Sequence, residues 1–404
     1  MPPPGYREAL ARVYGLAPGG IRLGLDRVRA AAAALGDPQE RIGTVVQVAG
    51  TNGKGSVACL VAAAARTAGL RVGLFTSPHL HRFTERFRLD GVEADPADLA
   101  SPLERALALA AFHSLSFFEV ATLAAFELFA AVRTDVTVLE VGLGGRLDAT
   151  SIASPAVTAI TSIGLDHAEL LGDTLAAVAR EKAAIARPGV PLVLGPLPAE
   201  ARAEVERIAA AVGARIRETD LEAVAAIRCP WPGSHQRENL AVAHGVFEEL
   251  RRIDARLAPE QFLRGVATAR WPGRFEIVAI GSRRFVLDGA HNLEAARALA
   301  RTLDERGERP DAMVFGALRG KPIAAMLEVL EPRARAVLLA PPPLERAFDP
   351  SEFAGRFGAR AFPSVAAALD AATGPLTLVT GSLFSVAEAR RILLDEPSDP
   401  PVGL

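Results

Sequence analysis

Apolar positions in this chain fall mostly into short unbroken runs, and the runs are separated by longer stretches of helical period. The segments 44–49 (TVVQVA), 71–76 (RVGLFT), 136–141 (VTVLEV), 156–163 (AVTAITSI) and 191–195 (PLVLG) have the length and apolar content of strands buried on both faces. Between them, VACLVAAAARTA and the stretches Leu103–Phe112, Val120–Val132 and Thr174–Ala186 have helical patterns. This alternation predicts βαβ units: an α/β fold with a mainly parallel sheet, helices on both faces, and ligands beyond the carboxyl ends of the strands. One amphipathic candidate, Ile21–Leu35, precedes the first strand. A tryptophan-proline-glycine turn in WPGR (271–274) follows the helical pattern of Pro259–Ala269, and a second alternation then starts with FEIVAI, RFVLDG, DAMVFGA, AVLLAP and LTLVTG, ending in a helix over Val386–Leu394. Two domains are expected, 1–270 and a smaller Rossmann-like α/β unit, 271–404. The closing EPSDPPVGL reads as a loose tail.

The first strand leads into the most informative stretch. Gly50-Thr51-Asn52-Gly53 stops the apolar run, and Lys54-Gly55-Ser56 opens an alanine-rich helix. Strand, glycine turn, lysine, hydroxyl and helix form a nucleotide-triphosphate cradle. Backbone N–H groups and the helix N-terminus face the phosphates, Lys54 neutralises their charge, and Ser56 can ligate Mg²⁺. The spacing departs from the usual phosphate loop, because Gly50 and Gly53 lie close together and Gly55 separates Lys54 from Ser56.

Composition narrows the class. At 404 residues with 45 basic and 47 acidic side chains, a net charge of −2 gives no global attraction to nucleic acid or an anionic membrane, so any anion site is local. Two cysteines build neither a disulfide framework nor a cysteine zinc site, which suits a reducing cytoplasm. No window is apolar enough to span a membrane, and MPPPGYREAL lacks the pattern of a signal peptide.

Three further strand ends carry unusual chemistry. The second run ends in Ser77-Pro78-His79, with Arg82, Glu85 and Arg86 close behind. VTVLEV carries Glu140 inside an apolar strand, a costly placement unless the carboxylate is paired or metal-bound. AVTAITSI leads to Asp166-His167. Each has an ordinary alternative: His79 as a loop histidine, Glu140 paired with Arg146, His167 beside a helix cap. Lys182, mid-helix, reads by residue type as half of a solvated Glu181–Lys182 pair.

AGTNGKGSV, SPHL, FFEVAT, LEVGLGGRLDAT, SIGLDH with REKAAI, HQRENLAVA, WPGRFE, LDGAHN and VTGSLF occur in order between about residues 44 and 385. Together they resemble the dihydrofolate synthase and folylpolyglutamate synthase family of the Mur ligase superfamily. The resemblance implies an ATP- and Mg²⁺-dependent amide ligase that activates a pteroate or folyl carboxylate as an acyl phosphate for attack by L-glutamate. The 1–270 unit would be the ATP-binding central domain and 271–404 the Mur-type C-terminal domain. By the same resemblance, Ser56 and Glu140 would hold one Mg²⁺ and Ser77, Glu140 and His167 a second. Gly50 to Ser56 would cradle ATP, with Lys54 on its phosphates, and Lys182 would be carbamylated. Asn239 would lie near the base, Asp288 at the ribose, and Arg274 and His291 at the phosphates. Lys54, Lys182, His167 and His291 form the implied catalytic set. Arg82, Ser116, Phe117, Phe118, Asp148 and Ala149 would contact the folate, with Phe117 and Phe118 alternatively serving as core at a helix start. Dihydropteroate or a reduced folate and L-glutamate are the implied partners, the state a monomer, the place the cytoplasm.

Three positions depart from the family pattern: Ser151 after LDAT, Phe87 after the glutamate-arginine pair, and FGALRGKP at 315–322. A muramyl-type ligase would need a further amino-terminal domain, for which 43 residues leave no room. A phosphate-loop ATPase without an acceptor leaves Glu140, His167 and Asp288–His291 without a role.

Overall fold

The computed structural model describes residues 3–17, 20 and 24–399. The predicted strand runs form an eight-stranded sheet: β1 (Thr44–Ala49), β2 (Val72–Phe75), β3 (Phe87–Leu89), β4 (Val92–Glu93), β5 (Val136–Glu140), β6 (Pro155–Ile160), β7 (Pro191–Leu194) and β8 (Arg215–Glu218). Their order is β4-β3-β2-β5-β1-β6-β7-β8. All pairs from β2 to β8 are parallel, and β3 and β4 add an antiparallel edge. The central strands are apolar because helices cover both faces: Val46, Val48, Val138, Val157 and Ala159 have no exposed surface.

A second, six-stranded sheet contains β9 (Glu276–Ile280), β10 (Arg283–Leu287), β11 (Ala312–Phe315), β12 (Val337–Leu339), β13 (Arg360–Ala361) and β14 (Leu376–Thr380), in the order β13-β12-β11-β14-β10-β9. Only β9 runs antiparallel. The buried apolar clusters respect the WPGR break. Three lie within residues 6–269 and two within 275–389.

Two segments correct the sequence reading. Residues before β1 carry a helix over Pro4–Tyr14 that sequence analysis missed, besides one over Asp26–Ala34. The latter matches the amphipathic candidate, whose Ile21, Arg22 and Leu23 lie outside the described residues. The tail is not loose over Glu396–Asp399. Glu396 pairs with Arg82 and Arg390, and Asp399 Oδ2 accepts from Phe83 N at 2.7 Å and Tyr14 Oη at 3.1 Å. Two carboxylates and the Asp399 N–H, which donates to His81 O at 2.8 Å, anchor these residues without any apolar side chain. A hydrophobic pattern could not reveal them.

Candidate active site

The strand order β2-β5-β1-β6 sets the polar strand ends side by side along one edge of the first sheet. The turn after β1 is shaped by contacts that only glycine permits. A Cβ on Gly50 would lie 1.9 Å from Thr161 Oγ1, on Gly53 2.2 Å from Asn239 Oδ1, and on Gly55 2.9 Å from the Trp271 ring. Gly50 and Gly53 also have φ of +152° and +87°. The unusual spacing of this loop therefore fits the residues pressed against it, and Gly55 makes room for a tryptophan of the WPGR turn.

Thr161–Gly164, leaving β6, hold the turn rigid. Thr51 N donates to Ser162 O at 2.8 Å, Asn52 N to Ser162 Oγ at 3.0 Å, and Thr161 Oγ1 to Asn52 O at 2.6 Å. The Lys54–Thr67 helix then begins. Its first internal bond is Val57 N to Gly53 O, at 3.0 Å, so the preceding N–H groups are available to an anion. Lys54 Nζ folds back onto Gly50 O and Thr51 O at 3.1 and 3.2 Å. Ser56 Oγ is buried and has no hydrogen-bond partner.

Glu140 ends β5 beside this turn, 5% exposed. Arg146 does not pair with it, binding Glu181 instead at 2.9 Å. Among the described residues, the Glu140 carboxylate accepts only Ser77 N, at 3.1 Å. Burial raises its pKa, against the pull of Lys54, the Ser77 N–H, Arg274 and Arg86. A buried carboxylate facing several cations but touching none suits a divalent ion. Among the described residues, no group of three or more His, Cys, Asp and Glu side chains gathers as a metal site.

Lys182 is buried, 4% exposed, and Nζ donates to Gly50 O at 2.9 Å. Glu181, the expected partner, binds Arg146 instead. Burial, reinforced by Lys54, lowers the Lys182 pKa to about 7. His167 is the exposed member, its side chain 42% accessible. It sits in the left-handed region (φ +53°) and caps a short helix, Ala168–Leu171. Ser77, by contrast, stands next to Glu140.

Beyond the WPGR turn, Asp288 is engaged by backbone: Phe275 N donates to Oδ2 at 2.9 Å and Ala290 N to Oδ1 at 3.0 Å. His291 Nδ1 lies 2.9 Å from Gly289 O, and its Nε2 3.5 Å from Asp166. Burial lowers the Arg274 pKa, while Asp288 and Glu140 oppose the shift. Asn239 touches Gly53 and donates to Gln236 Oε1 at 3.1 Å.

The residues assigned to folate divide. Phe118 is partly exposed against Gly142. Phe117 is core, stacked with Tyr14 at 6.1 Å. Ser116 forms a capping box with Glu119 for the Phe117–Val132 helix. Asp148 accepts from Gly142 N, Leu143 N, Thr150 N and Thr150 Oγ1, which fills its acceptor sites, and Ala149 is buried behind it. Arg82 is held by Glu93 and Glu396. Its neighbour Arg86, which sequence analysis noted without giving it a role, is 1% exposed. Nε donates to His79 Nδ1 at 2.9 Å, Nη1 and Nη2 have no hydrogen-bond partner, and the group lies over the Phe117 ring at 5.1 Å. Burial lowers its pKa to about 10. Both arginines follow SPHL, and no sequence pattern separated the surface one from the buried one.

Models of two families match the chain: the Mur ligase middle domain over 48–189 and the Mur ligase glutamate ligase domain over 273–383. The dihydrofolate synthase/folylpolyglutamate synthase of Bacillus subtilis is 33% identical over 427 residues, covering 96% of this chain and 99% of the relative. A probable bifunctional folylpolyglutamate synthase/dihydropteroate synthase of Haloferax volcanii is 36% identical over 431 residues; 95% of this chain is covered, but it spans only 50% of that relative. Escherichia coli FolC in complex with DHPP and ADP superposes with a TM-score of 0.86 at 32% identity, covering 98% of each chain. A bifunctional folylpolyglutamate synthase/dihydrofolate synthase with Mn, AMPPNP and L-glutamate bound gives 0.83 at 33% identity, covering 98% of this chain and 100% of the other.

Proposed function

The chain belongs to the dihydrofolate synthase/folylpolyglutamate synthase family of Mur ligases, and we propose that it joins L-glutamate to dihydropteroate and to reduced folates, using ATP and a divalent metal, through an acyl phosphate. The observation that carries this reading is Glu140. It is a buried carboxylate without a contacting cation, beside an orphaned Ser56 hydroxyl and a glycine-shaped phosphate cradle.

In this reading the Lys54–Thr67 helix N-terminus and Lys54 hold the phosphates, Lys54 leaving Gly50 O and Thr51 O to do so. Glu140 would serve two Mg²⁺ sites, with Ser56 contributing to one and Ser77 and His167 to the other. The metals, when bound, draw charge from the transferred phosphoryl group and from the attacked carboxylate. Lys182 carries a carbamate, formed by attack of the neutral amine on CO2 with loss of a proton, and turns toward the second metal. The pKa near 7 supports this, because at neutral pH a large share of the amine is unprotonated. Asn239, Asp288, Arg274 and His291 close on the nucleotide, so water is kept from the acyl phosphate. Phe118 and the Gly142–Ala149 turn form the pterin wall. Asp148 and Ser116 hold that wall in shape, Phe117 backs it, and Arg82 braces its rim. Arg86 offers two unpartnered N–H groups to an anionic part of the acceptor. The domains divide at 270/271, and the enzyme acts as a cytoplasmic monomer. Among the described residues no helix is long and apolar enough to cross a membrane.

Phosphate release tests the reading, measured with ATP, Mg²⁺ and L-glutamate, and with dihydropteroate, a reduced folate or neither. Release with both acceptors fits the bifunctional enzyme, and release with dihydropteroate alone a dedicated dihydrofolate synthase. Equal release without an acceptor would refute it.

A further inference from the structure

Within segment 315–322, the departure noted in the sequence, the stretch 319–322 turns one residue inward. Arg319, Gly320 and Pro322 are exposed, whereas the Lys321 side chain is 18% accessible. Lys321 Nζ reaches across the cleft to Asp166 Oδ1. Asp166, 11% accessible, also accepts from Asn292 Nδ2 at 3.1 Å, faces His291 Nε2 at 3.5 Å, and accepts His167 N at 3.0 Å. Every side chain among these partners comes from beyond the WPGR turn. Asn292 in turn caps the Leu293–Arg306 helix and exchanges two amide hydrogen bonds with Asn52 of the phosphate loop, at 3.0 and 3.2 Å. Gly164 completes the contact. A Cβ there would lie 3.2 Å from Glu294.

We propose that Asp166 and Lys321 form the latch that registers the second sheet against the phosphate loop, making Lys321 a positioning residue for ligation. Asp166 is a poorly solvated carboxylate whose side-chain donors all lie across the cleft. Opening the cleft removes them together, so the contact favours two discrete states over a gradual hinge. In the closed state Asp166 holds the His167 backbone N–H, and Asn292 holds Asn52. The purpose assigned to the latch rests on the ligase reading; its existence does not.

The test uses the full chain in a Cys229→Ser background, labelled at the exposed positions Ala203→Cys and Asp370→Cys for single-molecule energy transfer with AMPPNP and Mg²⁺. The unlatched chain should differ from the parent in one way: Lys321→Met and Asp166→Asn each raise the open population at least tenfold, the double variant opens no more than the worse single, and Lys321→Arg restores closure. In ligation assays Lys321→Met should lower kcat at least tenfold, and Lys321→Arg should restore it. An unaltered distance distribution in Lys321→Met, or effects that multiply in the double variant, would overturn the latch. Closure through this pair in a protein that releases no acceptor-dependent phosphate would support the latch and refute the ligase reading.

Discussion

At the residue scale, the clearest expectations come from two groups that are buried with the wrong charge. Lys182 has a pKa of about 7 in the fold against 10.5 for a free lysine, so the unfolded chain binds the extra proton between those values. Folding stability should therefore rise with pH from about 7 to about 10.5, and this slope should vanish in Lys182→Met, as chemical denaturation at several pH values would show. Lys182→Ala should lower ligation at least 100-fold and leave AMPPNP affinity within about threefold; retained turnover would remove the carbamate. Glu140 shifts the other way. Its pKa is raised from 4.5 by burial, so the metal-free fold loses stability as pH climbs through the raised value. Glu140→Gln should then be more stable than the parent at pH 8 without metal, by about 1–3 kcal/mol. The difference should shrink toward pH 4.5 or on adding Mg²⁺ with nucleotide, and the variant should have lost Mg²⁺-dependent turnover. A normal Mg²⁺ requirement in Glu140→Gln would mean the bridging role is wrong. Glu140 was legible because a carboxylate breaks an apolar strand. Lys182 and Arg86 were not, since a helix pattern cannot show that a helix turns a lysine inward, nor which of two nearby arginines is enclosed by Tyr14, Phe83 and Phe117.

At the element scale, the strand–turn–helix unit around β1 is coupled to the WPGR turn through its helix. Trp271 packs on Gly55, Cys59 Sγ meets Arg270 O at 3.5 Å, and Arg88 covers the Trp271 ring at 5.3 Å. Gly55→Ala places a methyl 2.9 Å from that ring, which must shift and carry the turn with it. Nucleotide affinity should fall about tenfold, equivalent to about 1.4 kcal/mol. Tryptophan fluorescence should report the displaced ring, and unchanged affinity would show that the turn tolerates the movement. Most central strands were legible to within about two residues, because buried parallel strands are continuous apolar runs. The edges were not. In β8 the sequence Arg-Ile-Arg-Glu is half exposed, and β3 and β4 are three and two residues long, so neither leaves a pattern. Glu396–Asp399 is held by ion pairs and backbone bonds, which hydrophobicity does not register.

At the scale of the whole molecule, the apolar clusters fall on either side of 270–275 and none includes buried residues from both. Trp271 packs with the first set. What joins the halves is polar: Lys321 with Asp166, Asn292 with Asn52, and Glu396 with Arg82. The Asp166–Lys321 pair contributes about 1.4 kcal/mol, the tenfold expected on its loss, and the more solvated contacts about 0–1 kcal/mol each, too little to make two cores melt as one. Calorimetry of the nucleotide-free chain should therefore resolve two transitions. On the proposed reading, a nucleotide held by Lys54 on one side and Arg274 and His291 on the other would bind only when both halves are folded. Adding AMPPNP and Mg²⁺ should thus raise both transitions and draw them together. One transition in the free protein, with equal calorimetric and van't Hoff enthalpies, would mean that the cleft couples the halves far more strongly than its contacts suggest. Lys321→Met should then split that single transition, because the latch would be carrying the cooperativity that the apolar clusters do not supply.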